Sequence, residues 1–191
     1  RPVQSLTVLV SIWLLGYVLM SIDWTEKTGE PIKVSLVQGN IAQSDKWQRH
    51  MRQPTLAMYR ELTRQHWDSD VIIWPETAVP DYQFRVQQYL TELTDEANGH
   101  DVDVLLGLFI RDQHKRRYYN SVINLRDGVY KKRHLVPLGE YYPFRSLLTF
   151  FSRWIKIPMS DVDSGPERQP LVEMAGQAVG PAVIVDCSKY L

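Results

Sequence analysis

Residues 70–80 read DVIIWPETAVP: an apolar run from Val71 to Trp74, closed by Pro75, with a carboxylate, Glu76, directly after it. A short continuous apolar stretch ended by a turn residue is the mark of a strand covered on both faces. The segments around it alternate in kind. Ile32 to Asn40 (IKVSLVQGN) has the β-branched residues and turn ending of a strand. Trp47 to Trp67 reads as a helix with Pro54 in its early turns and Leu56, Tyr59 and Leu62 on its apolar face. A second helix is predicted near Gln83 to Ala97, where Val86, Tyr89, Leu90 and Leu93 recur at helical spacing. Strands are predicted at Val102 to Ile110, Asn120 to Leu125 and Pro181 to Val185. Alternating strand and helix give an α/β layered fold.

The chain has 191 residues, enough for one sizeable core plus an appendage. The appendage is the start. Ser5 to Ile22 runs eighteen residues without a charge, and as a helix would reach roughly 27 Å, close to a hydrocarbon core. Trp13 and Tyr17 inside it, and no small-residue exit, argue against a signal peptide. Residues 1–24 are therefore expected to form a transmembrane helix, the end of a longer membrane region, and 25–191 the folded domain. Lys+Arg and Asp+Glu balance at 22 each, which gives no reason to expect nucleic acid. A single cysteine excludes an internal disulfide, and no Cys/His cluster has metal-site spacing.

Three stretches could carry chemistry. Glu76 follows a buried strand, where open α/β sheets place their sites, and could act as a general base or be a solvated loop charge. In YKKRHLVPLGEYYPF (130–144), one lysine could turn inward to meet developing negative charge with Glu140 holding it, or the run could be a solvated basic patch. His134 there reads as a packing residue rather than a catalyst. Cys187 follows AVIV (182–185) and an aspartate much as Glu76 follows VIIW. It is either an inert buried thiol or the nucleophile of an acyl transfer. Phe144, Leu147, Leu148, Phe151, Trp154 and Ile155 repeat at helical spacing beside basic residues, as in a core-facing helix or one lying in the headgroup region.

VSLVQGNIAQSDKW, IIWPETAVP, YYNSVINL, KKRHLVPLGEYYPF and PMSDVDSGP occur in this order after an apolar helix. In this the chain resembles the nitrilase-type domain of the bacterial apolipoprotein N-acyltransferase family. The resemblance implies an αββα sandwich on the periplasmic side of the bacterial inner membrane, here incomplete at the C-terminus. It implies a triad of Glu76 (base), Lys132 (oxyanion stabiliser) and Cys187 (nucleophile), with Glu140 in support and no metal or organic cofactor. The implied partners are a phospholipid acyl donor, an apolipoprotein acceptor and the bilayer, with Phe144, Leu147, Leu148, Phe151 and Trp154 facing lipid. The reaction implied is transfer of an acyl chain through a cysteine thioester to the amine of a diacylglyceryl-cysteine. One departure is visible: the family's Cys-Tyr-Glu motif is here Cys187-Ser188-Lys189, two residues before the end. The chain is accordingly expected to be a truncated piece of the enzyme. The alternatives are a catalytically dead membrane-anchored remnant and a soluble nitrilase-like amidase.

Overall fold

The computed structural model describes residues 2–26, 29–112, 117–136, 140 and 162–180. It falls into two units, Arg1–Pro31 and Ile32–Leu191. The expected strand at Pro181 to Val185, the amphipathic segment from Phe144 to Ile155 and Cys187 lie outside the described residues.

The first unit is helix α1, Pro2–Met20. Its stretch Val3–Met20 is long and apolar enough to cross a membrane, and none of it is buried. The helix starts and stops earlier than the charge-free run suggests. Proline is favoured in a first helical turn, and at the other end Ser21 and Ile22 donate to the Val18 and Leu19 carbonyls in a tightened turn.

The second unit is built on a five-stranded sheet in the order β1 (Val34–Leu36), β2 (Val71–Ile73), β3 (Asp103–Asp112), β4 (Arg117–Asn124), β5 (Val129–Lys131). β1, β2 and β3 run parallel, while β4 and β5 each pair antiparallel, so the sheet is mixed. Helices α2 (Arg52–Arg64) and α3 (Gln87–His100) supply one layer. Strand periodicity sorts the side chains between two faces. Ile72, Val104, Leu106, Leu108 and Ile123 join Leu56 and Tyr59 of α2 and Leu90 and Leu93 of α3 in the main core. Val71, Ile73, Leu105 and Val122 point the other way, against a hairpin of β6 (Val172–Met174) and β7 (Gln177–Val179). Ala175 and Gly176 both take positive φ there, +47° and +72°, as a tight two-residue hairpin turn requires.

Two expected helices are interrupted. A 3-10 turn, Arg49–Met51, precedes α2, which puts Pro54 in the first turn of the α-helix, where its missing N–H costs nothing. Likewise a 3-10 turn, Gln83–Arg85, is separated from α3 by buried Val86. Strands β5, β6 and β7 were not expected: β1 and β2 are no longer, but they sit in longer apolar or β-branched runs, which Val129–Lys131, Val172–Met174 and Gln177–Val179 do not. Asp103 holds the hairpin, accepting from Ala175 N–H at 2.7 Å and from Asn124 Nδ2 at 3.2 Å.

Candidate active site

The end of β2 is locked before it reaches Glu76. The Trp74 N–H donates to the Leu105 carbonyl at 2.8 Å, and its ring stacks on Tyr59 with centroids 4.8 Å apart. Its Nε1–H donates to Thr63 Oγ1 at 2.9 Å, and that hydroxyl donates in turn to the Tyr59 carbonyl at 2.8 Å. A buried tryptophan with its polar atom satisfied is a firm anchor. Pro75 then turns the chain, and Thr77 takes φ +54°. The turn presses on β3 at Gly107: a Cβ there would stand 2.9 Å from Glu76 Cα and 2.5 Å from the Thr77 nitrogen. Lys46 Nζ donates to the Glu76 carbonyl at 3.3 Å.

Lys132 follows β5, its backbone N–H donating to the Asn120 carbonyl at 2.7 Å. Alternation separates the two adjacent lysines. Lys131 lies over the Tyr119 ring, 4.5 Å from its centroid, whereas Lys132 is buried. The Lys132 ammonium stands 2.8 Å from Glu76 Oε1 and 2.9 Å from Glu140 Oε2. Glu140 is itself fixed, since its Oε2 accepts from the Val136 N–H at 2.8 Å and its own N–H donates back to the Val136 carbonyl at 2.9 Å. The Asp163-Ser164-Gly165 stretch braces this loop: Ser164 donates to the Arg133 carbonyl and the Gly165 N–H to the Lys132 carbonyl, 2.9 Å away.

The structure thus brings Glu76, Lys132 and Glu140 together. It adds Asn120, buried on β4, whose Nδ2 donates to Glu76 Oε1 and, at 2.8 Å, to Glu140 Oε1. No signal in the sequence set it apart from Ser121 and Asn124 of the same strand, and it was read there only as the strand's first residue. His134 is exposed, so it is not the packing residue its sequence context suggested.

Two carboxylates around one ammonium leave the cluster short of positive charge. Burial opposes the charge on Lys132, but hydrogen bonds from it to Glu76 and Glu140 more than offset that and hold its pKa above the ordinary lysine value. An ammonium has three donors; with two directed at carboxylates, the third is the natural partner for an oxyanion. The cluster sits at the polar end of a cavity of about 220 Å³ walled by Ile73, Leu105, Val122, Tyr130, Val172 and Met174. An apolar cleft with a few convergent polar groups is the usual form of a site that holds a small apolar group beside one reacting centre. Among the described residues, no group of His, Cys, Asp and Glu side chains could hold a metal ion.

Residues 33–186 match the carbon-nitrogen hydrolase family model. The chain is 46% identical over 158 residues to an apolipoprotein N-acyltransferase of Methylococcus capsulatus, covering 81% of this chain and 31% of that protein. It is 34% identical over 185 residues to the Coxiella burnetii protein of the same name (96% and 38% covered) and 37% over 192 residues to that of Pseudomonas putida (96% and 38%). The chain spans about a third of the length of these relatives. The family match agrees with the nitrilase-like α/β fold expected from the sequence.

Proposed function

Since the chain belongs to the carbon-nitrogen hydrolase family, we propose that it carries the acyl-transfer centre of an apolipoprotein N-acyltransferase, with α1 as a membrane span and the second unit as the catalytic domain on the periplasmic side. The observation that carries this reading is the Glu76, Lys132 and Glu140 cluster at the polar end of an apolar cavity.

In this mechanism Cys187 Sγ attacks the ester carbonyl of a phospholipid while Glu76 takes the thiol proton. Lys132 stabilises the oxyanion of the tetrahedral intermediate, with Glu140 and Asn120 holding the ammonium and the base in place. The C–O bond then breaks. The lysophospholipid leaves with the proton from Glu76, and the acyl group remains as a thioester. In the second half the α-amine of a diacylglyceryl-cysteine attacks that thioester, passes a proton to Glu76 and forms an amide. The thiolate leaves and regains the proton.

The test is incubation of the chain with phospholipid, followed by mass spectrometry for a hydroxylamine-labile acyl group on Cys187. The expected result is acylation that is absent in Cys187→Ala and slowed by at least about a hundredfold in Lys132→Ala. No acylation of the intact chain overturns the reading, as does hydrolysis of small soluble amides in its place.

A further inference from the structure

A second cavity, of about 540 Å³, lies outside the carboxylate-lysine cluster and is lined by Trp47, Arg49, Arg52, Tyr82, Arg85 and Phe109. Arg49, Arg52 and Arg85 line it beside one carboxylate, Asp81, in a chain whose overall formal charge is zero. Asp81 orients Arg52 and Arg85 rather than cancelling them: its Oδ2 is 2.9 Å from Arg52 Nε and its Oδ1 is 3.5 Å from an Arg85 terminal nitrogen. Arg52 also donates to the Arg85 carbonyl at 2.7 Å, and the Arg85 guanidinium lies over the Tyr82 ring, 5.3 Å from its centroid. Arginines fixed in this way lose little freedom on meeting an anion, and the planar fork matches a phosphate. The floor is aromatic: Trp47 and Tyr82 contact Phe109, with centroids at 5.9 and 6.4 Å, and Trp47 is partly exposed.

Its position in the sheet says what kind of anion fits. Residues 74–82 run alongside β3, with Trp74 bonded to Leu105, Val79 to Gly107 and Tyr82 bridged to Phe109. Gly107, which backs Glu76, and Phe109 are two residues apart on one strand, hence on one face and about 7 Å apart. The arginine cavity and the Glu76 turn are thus neighbours along β3, the order in which a phosphate and an ester follow each other in a glycerophospholipid.

The geometry points to this cavity as the phosphate-binding subsite of the phospholipid donor, an assignment that rests on the acyl-transfer reading above. Arg49, Arg52 and Arg85 contact the phosphodiester, and Trp47, Tyr82 and Phe109 contact the glycerol and first methylenes.

The test is a fluorescence titration of the full chain in neutral detergent, carrying Cys187→Ala so that no chemistry intervenes. The ligands are dihexanoyl phosphatidylglycerol, dihexanoylglycerol, inorganic phosphate and AMP. A saturable change is expected with the phospholipid, at least about tenfold tighter than with the other three, and lost in Trp47→Phe. Arg49→Gln with Arg85→Gln is expected to weaken binding about tenfold. Arg49→Gln alone, at an exposed 3-10 position, is expected to weaken it about threefold, so the test stands even if the double variant misfolds. Lys33→Gln, which removes a cation elsewhere, should change nothing. Equal response to dihexanoylglycerol, equal or tighter binding of phosphate or AMP, a signal surviving Trp47→Phe, or arginine variants that bind normally each overturn the assignment. Binding without acylation of Cys187 in the parent chain faults the acyl-transfer reading alone. Acylation by phospholipid at an unchanged rate in the arginine variants faults the subsite alone.

Discussion

Gly107 backs Glu76 so closely that a single added carbon would meet the Glu76 Cα at 2.9 Å and the Thr77 nitrogen at 2.5 Å. Both atoms are backbone, and Trp74 fixes the strand leading into them, so neither can swing aside. Gly107→Ala is therefore expected to cost about 1–3 kcal/mol in urea unfolding. It should slow Cys187 acylation by more than that stability loss explains, because Glu76, the proposed base, is itself displaced. A variant that unfolds like the parent and acylates at the same rate would show that the turn yields.

Asn120 donates to both carboxylates of the cluster. Asn120→Asp removes two hydrogen bonds and sets a third carboxylate beside a single ammonium. Like charges in one site raise the carboxylate pKa, so the acid limb of the acylation rate profile should move to higher pH, with the maximal rate down by roughly a hundredfold. An unmoved acid limb would reduce Asn120 to a packing role.

Lys132→Met leaves Glu76 and Glu140 facing each other without their cation. Breaking one side of a buried ion pair costs about 3–5 kcal/mol. Because the stranded carboxylates would have raised pKa values, the folded variant binds protons more readily than the unfolded chain, and its stability should rise as pH is lowered from 8 to 5. In the parent the sign is the same, but it acts at the other end of the scale. The Lys132 pKa is raised, so its contribution is complete below about 10.5 and is lost as pH climbs through the higher folded value. Denaturant midpoints that fall with rising pH across each range check both expectations.

Glu96 joins the two helices, with its Oε2 3.0 Å from Arg64 Nε and its Oε1 2.8 Å from Arg60 Nε. Hydrogen bonds from Arg64, opposed by partial burial and joined by those from Arg60, hold its carboxyl down at about 2. A depressed pKa contributes stability above the ordinary carboxylate value, and this is lost as pH falls from about 4.5 towards 2. Glu96→Gln should cost on the order of 0.5–1 kcal/mol at pH 7 and nothing near pH 2. Equal loss at both pH values would mean that packing, not charge, is what the side chain provides.

Trp74→Phe keeps the stack on Tyr59 but loses the bond to Thr63, an expected cost of about 1 kcal/mol. Trp74→Ala opens a cavity and is expected to cost about 3–5 kcal/mol. Urea unfolding of the pair reads the order directly, and equal costs would mean the hydrogen bond alone holds the anchor.

The strands that build the main core could be read from the sequence because burial on both faces writes itself as apolar runs, Val71 to Trp74 and Val104 to Phe109. What could not be read is what depends on long-range pairing. β5 to β7 are three residues each with no longer apolar run around them, and the antiparallel turn of β4 onto β3 has no local signature. Of the site, Glu76 stood out through its setting beside an apolar strand, while the basic run offered one lysine without saying which, and only the family resemblance singled out Lys132. Asn120 did not, since one amide in a strand becomes informative only once two carboxylates from distant loops are seen converging on it. The arginine cavity was hidden for a similar reason: Arg52 and Arg85 are far apart in the chain and meet only in the fold, through Asp81 and the Arg52 bond to the Arg85 carbonyl.

Lys131 and Lys132 differ in nothing but parity: one rests half-buried on the Tyr119 ring, the other is sealed within. Deleting one residue from β5 would carry the inner ammonium outward and offer Arg133 or a neighbour in its stead. Selection on this strand thus acts on counting as much as on chemistry. Its residues can drift in kind, but an odd insertion or deletion there would silence the centre even with every reacting group still encoded.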